Sequence, residues 1–405
     1  LSQADPRVDT AISGLVKPLL PLAVATFAVG TDAFVIAGLL PAIATDLDVS
    51  VAAAGQLVTV FALTLAVAAP VLSWLLSSLD RRKALQLALA VFVVGNIATA
   101  LSPNYPIMMS TRVLTALGAA SITASASSAA VAIAPEERRG RAMAMVIGGL
   151  TLSTALGMPL GNLIGSFDWR LTLWAVAGLG VLAALGISVW LPRVSLPAVS
   201  LTARVAPLRQ VNVLTILIAT TLVMAGHYTL YTYIGAITAD ATTDTFPQAL
   251  TLILFAWGLG VLAGNFLAGL WADKRSGLGV AVAALGSGTV LLAVSPLTVG
   301  HLVIVTVWAV VWGATDGMAS VVQQHRLVAI APASAPLLFG LNSSAIYVGV
   351  AIGGVLGGVS QEWFAITLLG IPAAAMALLA TLMTIAVGRR SRRERRAQSQ
   401  VEYAR

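Results

Sequence analysis

The sequence predicts an all-α membrane protein, with twelve transmembrane helices in two six-helix repeats. Hydrophobic residues make up 58% of the 405-residue chain and charged residues only 10%, with a mean hydropathy of +0.93. Soluble domains carry about 25% charged residues, so this chain lacks the polar surface needed to remain in water. The apolar residues run unbroken over lengths that suit a bilayer-crossing helix, about 20 residues. They do not alternate over about 10 residues, as the strands of an outer-membrane barrel would. The third observation is a common register between the two halves of the chain.

Taken in order, the expected spans lie near 16–42, 51–76, 84–102, 105–133, 141–165, 169–192, 211–238, 246–271, 277–297, 301–325, 335–360 and 363–388. The first is too long for the apolar region of a signal peptide, about 7–15 residues, and no small-residue cleavage site follows it. It is therefore expected to stay in the mature chain. Charges mark the joints. Asp46 and Asp48 follow span 1, Arg81-Arg82-Lys83 follow span 2, Arg138, Arg139 and Arg141 follow span 4, and Asp168 and Arg170 follow span 5. Arg193, Arg204 and Arg209, with Pro197 and Pro207, follow span 6. Asp240 and Asp244 then follow span 7, Lys274-Arg275 span 8, Glu362 span 11, and "RRSRRERR" the last span. Every basic cluster falls on one side and the acids fall mostly on the other. Because cytoplasmic loops carry the lysine and arginine excess, both termini are expected in the cytoplasm.

The expected plan is an N-terminal segment (1–15), a six-helix bundle (16–192), a linker (193–210), a second bundle (211–388) and a basic tail (389–405). The net charge of +7 resides in loops and tail. That placement reads as a topology signal touching anionic lipid, not as a nucleic-acid-binding face. With no cysteine there is no disulfide and no thiolate metal site.

A shift of 196 residues, the separation of Gly30 from Gly226, brings "FAVGTDAF" (27–34) onto "VMAGHYTL" (223–230). The same shift brings Gly157 and Gly161 onto Gly353 and Gly357, and Ser77 onto Asp273. Three matches at one offset in separate segments indicate a duplication of six spans. In transporters built from such repeats the substrate site lies near mid-membrane at the repeat interface.

Several stretches together resemble the major facilitator superfamily over the whole chain, and within it the 12-span drug/proton antiporter and sugar-efflux group. They are "GTDAFVIAGLLPAIATDLDVS" (30–50), "RVLTALGAA" (112–120), "GMPLGNLIG" (157–165) and "GLWADKR" (269–275). The third resembles the antiporter motif, with Gly157, Pro159, Gly161 and Gly165, and the fourth the loop motif, with Gly269, Asp273 and Arg275. The matching loop of the first half departs from the pattern, with Ser73 in place of the usual glycine and Ser77 in place of the usual acid. The resemblance gives that acid a latching role, which leaves Asp80 as the acid available to replace it.

Few ionisable residues fall inside the spans. Asp32 lies in span 1, Arg112 in span 4, Asp316 in span 10 and His227 in span 7. Spans 1 and 4 run in opposite directions, and a rise of about 1.5 Å per residue brings Asp32 and Arg112 to similar depth. An embedded acid seeks a cation at its own depth. Burial favours the neutral acid and the arginine favours the carboxylate, a balance suited to a proton carrier; a fixed structural ion pair is the plainer use of the same residues. Asp316, between Gly313 and Gly317, is either a second proton or substrate site or a structural hydrogen bond. The polar face of span 7 comprises His227 with Tyr231 and Tyr228 with Thr232. With Asn342, Ser343 and Tyr347 on span 11, it offers cavity walls of aromatic rings with polar tips. Pro159 bends span 5, and its flanking glycines permit a tight contact, expected between the two halves.

The chain has no G-x-x-x-x-G-K-[ST] and no H-E-x-x-H, so neither a nucleotide motor nor a zinc hydrolase is encoded in these forms, and the reading is not an enzyme. The resemblance implies a proton-coupled antiporter in the cytoplasmic (inner) membrane, exporting drugs or sugar-like solutes by alternating access. Its expected partners are a small-molecule substrate and the lipid bilayer, with no nucleic acid. It needs no cofactor beyond the proton and is expected to work as a monomer. A proton symporter or uniporter for sugar-like solutes is the alternative.

Overall fold

In an apolar solvent a backbone cannot give its N–H and C=O groups to water, so each crossing segment closes its own hydrogen bonds as a helix. The computed structural model of the chain describes residues 6–194, 206–242, 248–272, 277–330 and 334–403. Most of the expected linker, with Pro197 and Arg204, lies outside the described residues. So do Asp244, Asp273, Lys274 and Arg275, and so do the side chains of the basic tail.

Among the described residues the regular structure is helical throughout, with twelve helices long and apolar enough to span a membrane. They are α1 (Leu15–Asp46), α2 (Val51–Ser78), α3 (Arg81–Ala100), α4 (Tyr105–Ile133), α5 (Glu136–Gly165) and α6 (Trp169–Trp190). The second six are α7 (Val211–Tyr231), α8 (Ala249–Trp271), α9 (Leu278–Leu297), α10 (Leu302–Ile330), α11 (Leu337–Ser360) and α12 (Ile366–Gly388). The predicted fold class holds.

Short polar residues start four of the helices of the first half. Ser50 accepts the N–H of Ala53 at 3.1 Å, Asp80 that of Lys83 at 3.2 Å, and Asn104 that of Ile107 at 3.1 Å. Asp168 accepts that of Arg170 at 2.9 Å. Each satisfies one of the donors left open by a helix N-terminus. Two helix ends differ from expectation. The seventh span stops at Tyr231 rather than near 238, giving way to short turns at Ile234–Ile237 and Ala239–Thr242. The sequence there, "YTYIGAIT", is made largely of weak helix formers. The last helix runs on to Tyr403, because the basic tail is rich in arginine, glutamine, glutamate and alanine, all strong helix formers.

The chain divides into two compact units, residues 1–204 with 246–255, and residues 205–245 with 256–405. Both use the same packing plan. In the first, α1 packs on α5 and α6, and α3 on α4 and α6. In the second, α7 packs on α11 and α12, and α9 on α10 and α12. The offset found in the sequence is thus repeated in the helix contacts of each half.

Lipid tails are as apolar as leucine, so helices associate through close backbone approach at small residues. A Cβ on Gly353 would meet the Ala225 carbonyl and the Thr229 amide of α7, and one on Gly357 the Tyr233 ring and the Thr229 carbonyl. Between α8 and α10 the glycines interlock from both sides. Gly260 and Gly264 lie against the carbonyls of Val310 and Ala314, while Gly313 and Gly317 lie against those of Trp257 and Val261. Gly269, by contrast, has open space where its side chain would be. Gly264→Val is expected to lower the thermal unfolding midpoint in detergent, an overpacking cost of about 1–3 kcal/mol. Gly269→Ala should leave that midpoint within the change of an ordinary surface substitution, about 0.5 kcal/mol.

Candidate functional site

The acid of α1 and the arginine of α4 meet. Arg112 Nη1 donates to Asp32 Oδ1 at 2.7 Å, and neither side chain has any exposed surface. Arg112 Nη2 lies 3.5 Å from the backbone carbonyl of Asp32, and the guanidinium carbon sits 4.2 Å from the centre of the Phe61 ring on α2. Asn96 of α3 is buried in the same unit, donating to the Phe92 carbonyl at 3.1 Å. The pair is one-pronged. Asp32 Oδ2 is buried and has no hydrogen-bond partner, and neither has Arg112 Nε. A bidentate pair would use both carboxylate oxygens; this one leaves Oδ2 outside the ion pair, with the Asn96 amide of α3 beside the carboxyl.

The second half holds a different arrangement. His227 of α7 and Asp316 of α10 approach at 3.4 Å, from Nδ1 to Oδ1. Trp312 Nε1 donates to the same Nδ1 at 3.0 Å. Around them the aromatic rings form a continuous cluster. Trp312 stacks on Trp308 with centroids 4.7 Å apart, and Tyr231 lies 4.6 Å from Trp257. Trp257 and Trp312 are 5.9 Å apart, and Tyr228 meets Tyr231 edge-on at 5.2 Å. The Trp308 indole is tied to the Leu291 carbonyl of α9 at 3.0 Å. Trp308, Trp312 and Asp316 follow one another at four-residue steps, which sets them along one stripe of a helix. That spacing was readable in the sequence, but the tryptophans of the cluster were not among the expected site residues.

The remaining expected residues fall near this cluster or beside α7. Thr232 is buried with its hydroxyl unpartnered. Asn342 accepts from Thr220 Oγ1 at 3.4 Å, joining α11 to α7. Tyr347 is buried on α11.

A family model described as Major Facilitator Superfamily matches residues 22–242, more than half of the chain. The chain belongs to the Major Facilitator Superfamily. It is 33% identical over 373 residues to the Inner membrane transport protein YdhP of Escherichia coli (strain K12), covering 91% of this chain and 95% of that one. It is 34% identical over 272 residues to the Chloramphenicol resistance protein of Streptomyces lividans, covering 66% of this chain and 69% of the relative. The crystal structure of a D-xylose-proton symporter superposes with a TM-score of 0.72 at 14% identity, covering 91% of this chain and 96% of that one. That last similarity establishes a shared fold.

With the superfamily established, the glycine-proline segment of α5 takes on a specific structural meaning. Pro159 cannot donate to the carbonyl four residues earlier. The helix widens over Ser153–Gly157 into a π-turn, in which Met158 N–H reaches Ser153. Such turns recur at functional sites of helices. A side chain on Gly157 would overlap Thr31 Oγ1, one on Gly161 would meet Val35, and one on Gly165 would overlap Leu39. All three neighbours lie on α1 at four-residue steps. Within the same motif Asn162 accepts from Thr251 Oγ1 of α8 at 2.8 Å, while the glycines pack on the first helix. They seat α5 on α1 inside the first unit, and Thr31, the contact of Gly157, adjoins Asp32.

The first-half loop is likewise closed on itself. Asp80 caps α3, and Ser77 Oγ donates to the Trp74 carbonyl at 2.6 Å. Arg82 donates to the carbonyls of Ser188 and Leu191 at the C-terminal end of α6, where a cation also complements the helix dipole. Of the second-half motif, Gly269 is exposed at the end of α8, and Asp273 and Arg275 lie outside the described residues.

Removing one member of a buried ion pair strands its partner, at a cost of about 3–5 kcal/mol. Asp32→Asn and Arg112→Gln should each lower the thermal unfolding midpoint, and the double variant should recover part of the loss. A double-mutant cycle by thermal unfolding checks this, and strictly additive losses would show that the two side chains are not coupled.

Proposed function

We propose that this chain is a proton-coupled exporter of small organic molecules, working by alternating access, with Asp32 as the group that takes up and releases the proton. The observation that carries this reading is the one-pronged Asp32–Arg112 pair with Oδ2 left unpartnered in the protein interior. When Asp32 is ionised, Arg112 neutralises it. When Asp32 is protonated, Arg112 keeps its charge and is held by the Phe61 ring and the Asp32 carbonyl. A permanent bidentate bridge would offer no such second state. Each proton moved inward across 100 mV releases about 2.3 kcal/mol, enough to drive efflux of a neutral solute without a nucleotide.

Export of a small organic molecule is favoured by the name of the Streptomyces relative. Placement in the inner membrane is favoured by that of the Escherichia relative. The distribution of lysine and arginine supports termini in the cytoplasm. Tyr228, Tyr231, Thr232, Asn342 and Tyr347 are read as substrate contacts, because buried rings and hydroxyls suit a solute with an apolar body and polar edges. Gly157, Pro159, Gly161 and Gly165 are read as the hinge that carries motion of α5 to α1 at Asp32. The working unit is the monomer in the lipid bilayer.

Purified protein in proteoliposomes, loaded with chloramphenicol and containing a trapped pH dye, tests the mechanism. Outward flow of chloramphenicol should drive proton flow in the opposite direction. Asp32→Asn should abolish the proton signal, and Arg112→Lys should reduce both fluxes. Proton exchange by Asp32→Asn equal to that of the parent would remove Asp32 from the role.

A further inference from the structure

Among the described residues the second buried acid, Asp316, forms no ion pair with a lysine or arginine. Within the spans of the second half, Arg326 is the only lysine or arginine. It lies ten residues beyond Asp316 on the same helix, about 15 Å along the axis, and its guanidinium is bonded to Gln323 at 2.6 Å. Among the described residues the titratable groups beside Asp316 are His227, Tyr228 and Tyr231 on α7, with Tyr347 of α11 beside Tyr228. The spans α8, α9 and α12 contribute no titratable side chain, and Asp240, in the short turn after α7, is exposed. The nearest base to the carboxyl group is the His227 ring.

The hydrogen bonds around that ring decide its form. An indole N–H can only donate. Trp312 Nε1 points at His227 Nδ1 from 3.0 Å, so Nδ1 presents its lone pair and the ring proton resides on Nε2. An imidazolium would carry a proton on Nδ1 as well, directed into the indole N–H. His227 is therefore neutral in this arrangement. Asp316 Oδ1, 3.4 Å from the same nitrogen, receives no other donor. A carboxylate there would set an acceptor against an acceptor, in a buried site without a cation. A carboxylic acid carries no charge, which removes the cost of a carboxylate in a buried site without a cation.

We propose that Asp316 and His227 hold one proton between them as a second protonation site, with the proton on Asp316 while Trp312 donates to His227 Nδ1. His227 is then a proton partner rather than a substrate ligand, and Trp312 is a positioning residue acting through it. Withdrawing the indole N–H frees Nδ1 to accept the proton from Asp316, which becomes a carboxylate beside an imidazolium. The pair's net charge is zero before and after. Because Trp312 is stacked on Trp308 and packed against Trp257, a shift of the aromatic cluster is the motion that would move the proton.

The test is spectroscopic, made on the purified full chain in detergent at neutral pH without substrate. It therefore stands or falls separately from proton exchange through Asp32. Infrared spectra should contain a protonated-carboxyl band that is lost in Asp316→Asn, retained in Asp32→Asn and moved in frequency in Asp316→Glu. Nitrogen-15 NMR should show one neutral histidine protonated on Nε2, identified by its loss in His227→Gln. In Trp312→Phe the Asp316 band should fall and the His227 signal should move toward imidazolium. Absence of any band assignable to Asp316, or an imidazolium signal from His227 in the parent protein, overturns the proposal. A Trp312→Phe variant with both signals unchanged overturns the role given to Trp312.

Discussion

A carboxyl group inside an apolar solvent has two stable forms, an anion beside a cation or a neutral acid. Burying a charge without a partner costs far more than burying either of these. Asp32 sits with Arg112, which is itself backed by an aromatic ring and a carbonyl. Asp316 sits with a neutral imidazole and an indole donor. The two halves thus resolve the same constraint differently, although they descend from one six-helix plan. The counterpart of Asp32 at the repeat offset is Tyr228, a hydroxyl that requires no cation.

The scaffold that brings these groups together is held by backbone proximity more than by side-chain bulk. Water drives no apolar association between helices in lipid, so contact area and small residues do most of the work. The glycines of α5 along α1, of α11 along α7, and of α8 against α10 all allow helix backbones to close on one another. Two of these seams carry an acid directly. Gly157 touches Thr31 beside Asp32, and Gly313 and Gly317 flank Asp316. Helix approach and the placement of the acids are therefore one problem, and a change in either displaces the other.

Much of this was legible beforehand, and the parts that were not share a cause. Asp32 and Arg112 could be paired from depth alone, because two antiparallel helices of constant rise fix the height of each residue. Depth says nothing about rotation, so the one-pronged geometry and the Phe61 ring were not readable. Gly157, Gly161 and Gly165 announced a tight seam, but glycine does not name its partner, and the seam proved to be α5 on α1. Asp80 was a candidate replacement for a latch acid; local geometry used it as a helix cap. The stripe of Trp308, Trp312 and Asp316 was present as spacing, yet only the arrival of α7 gave it a histidine.

The sequence by itself determined the class, the twelve spans, the two repeats and which residues would be costly to bury. These follow from transfer free energies and helical rise, which act on each segment separately. The tertiary structure decided which partner each costly residue found. Partner choice depends on which faces of neighbouring helices meet, and that is set by packing between segments far apart in the chain. Asp32 met a permanent cation on α4, and Asp316 met a base that can take or return a proton.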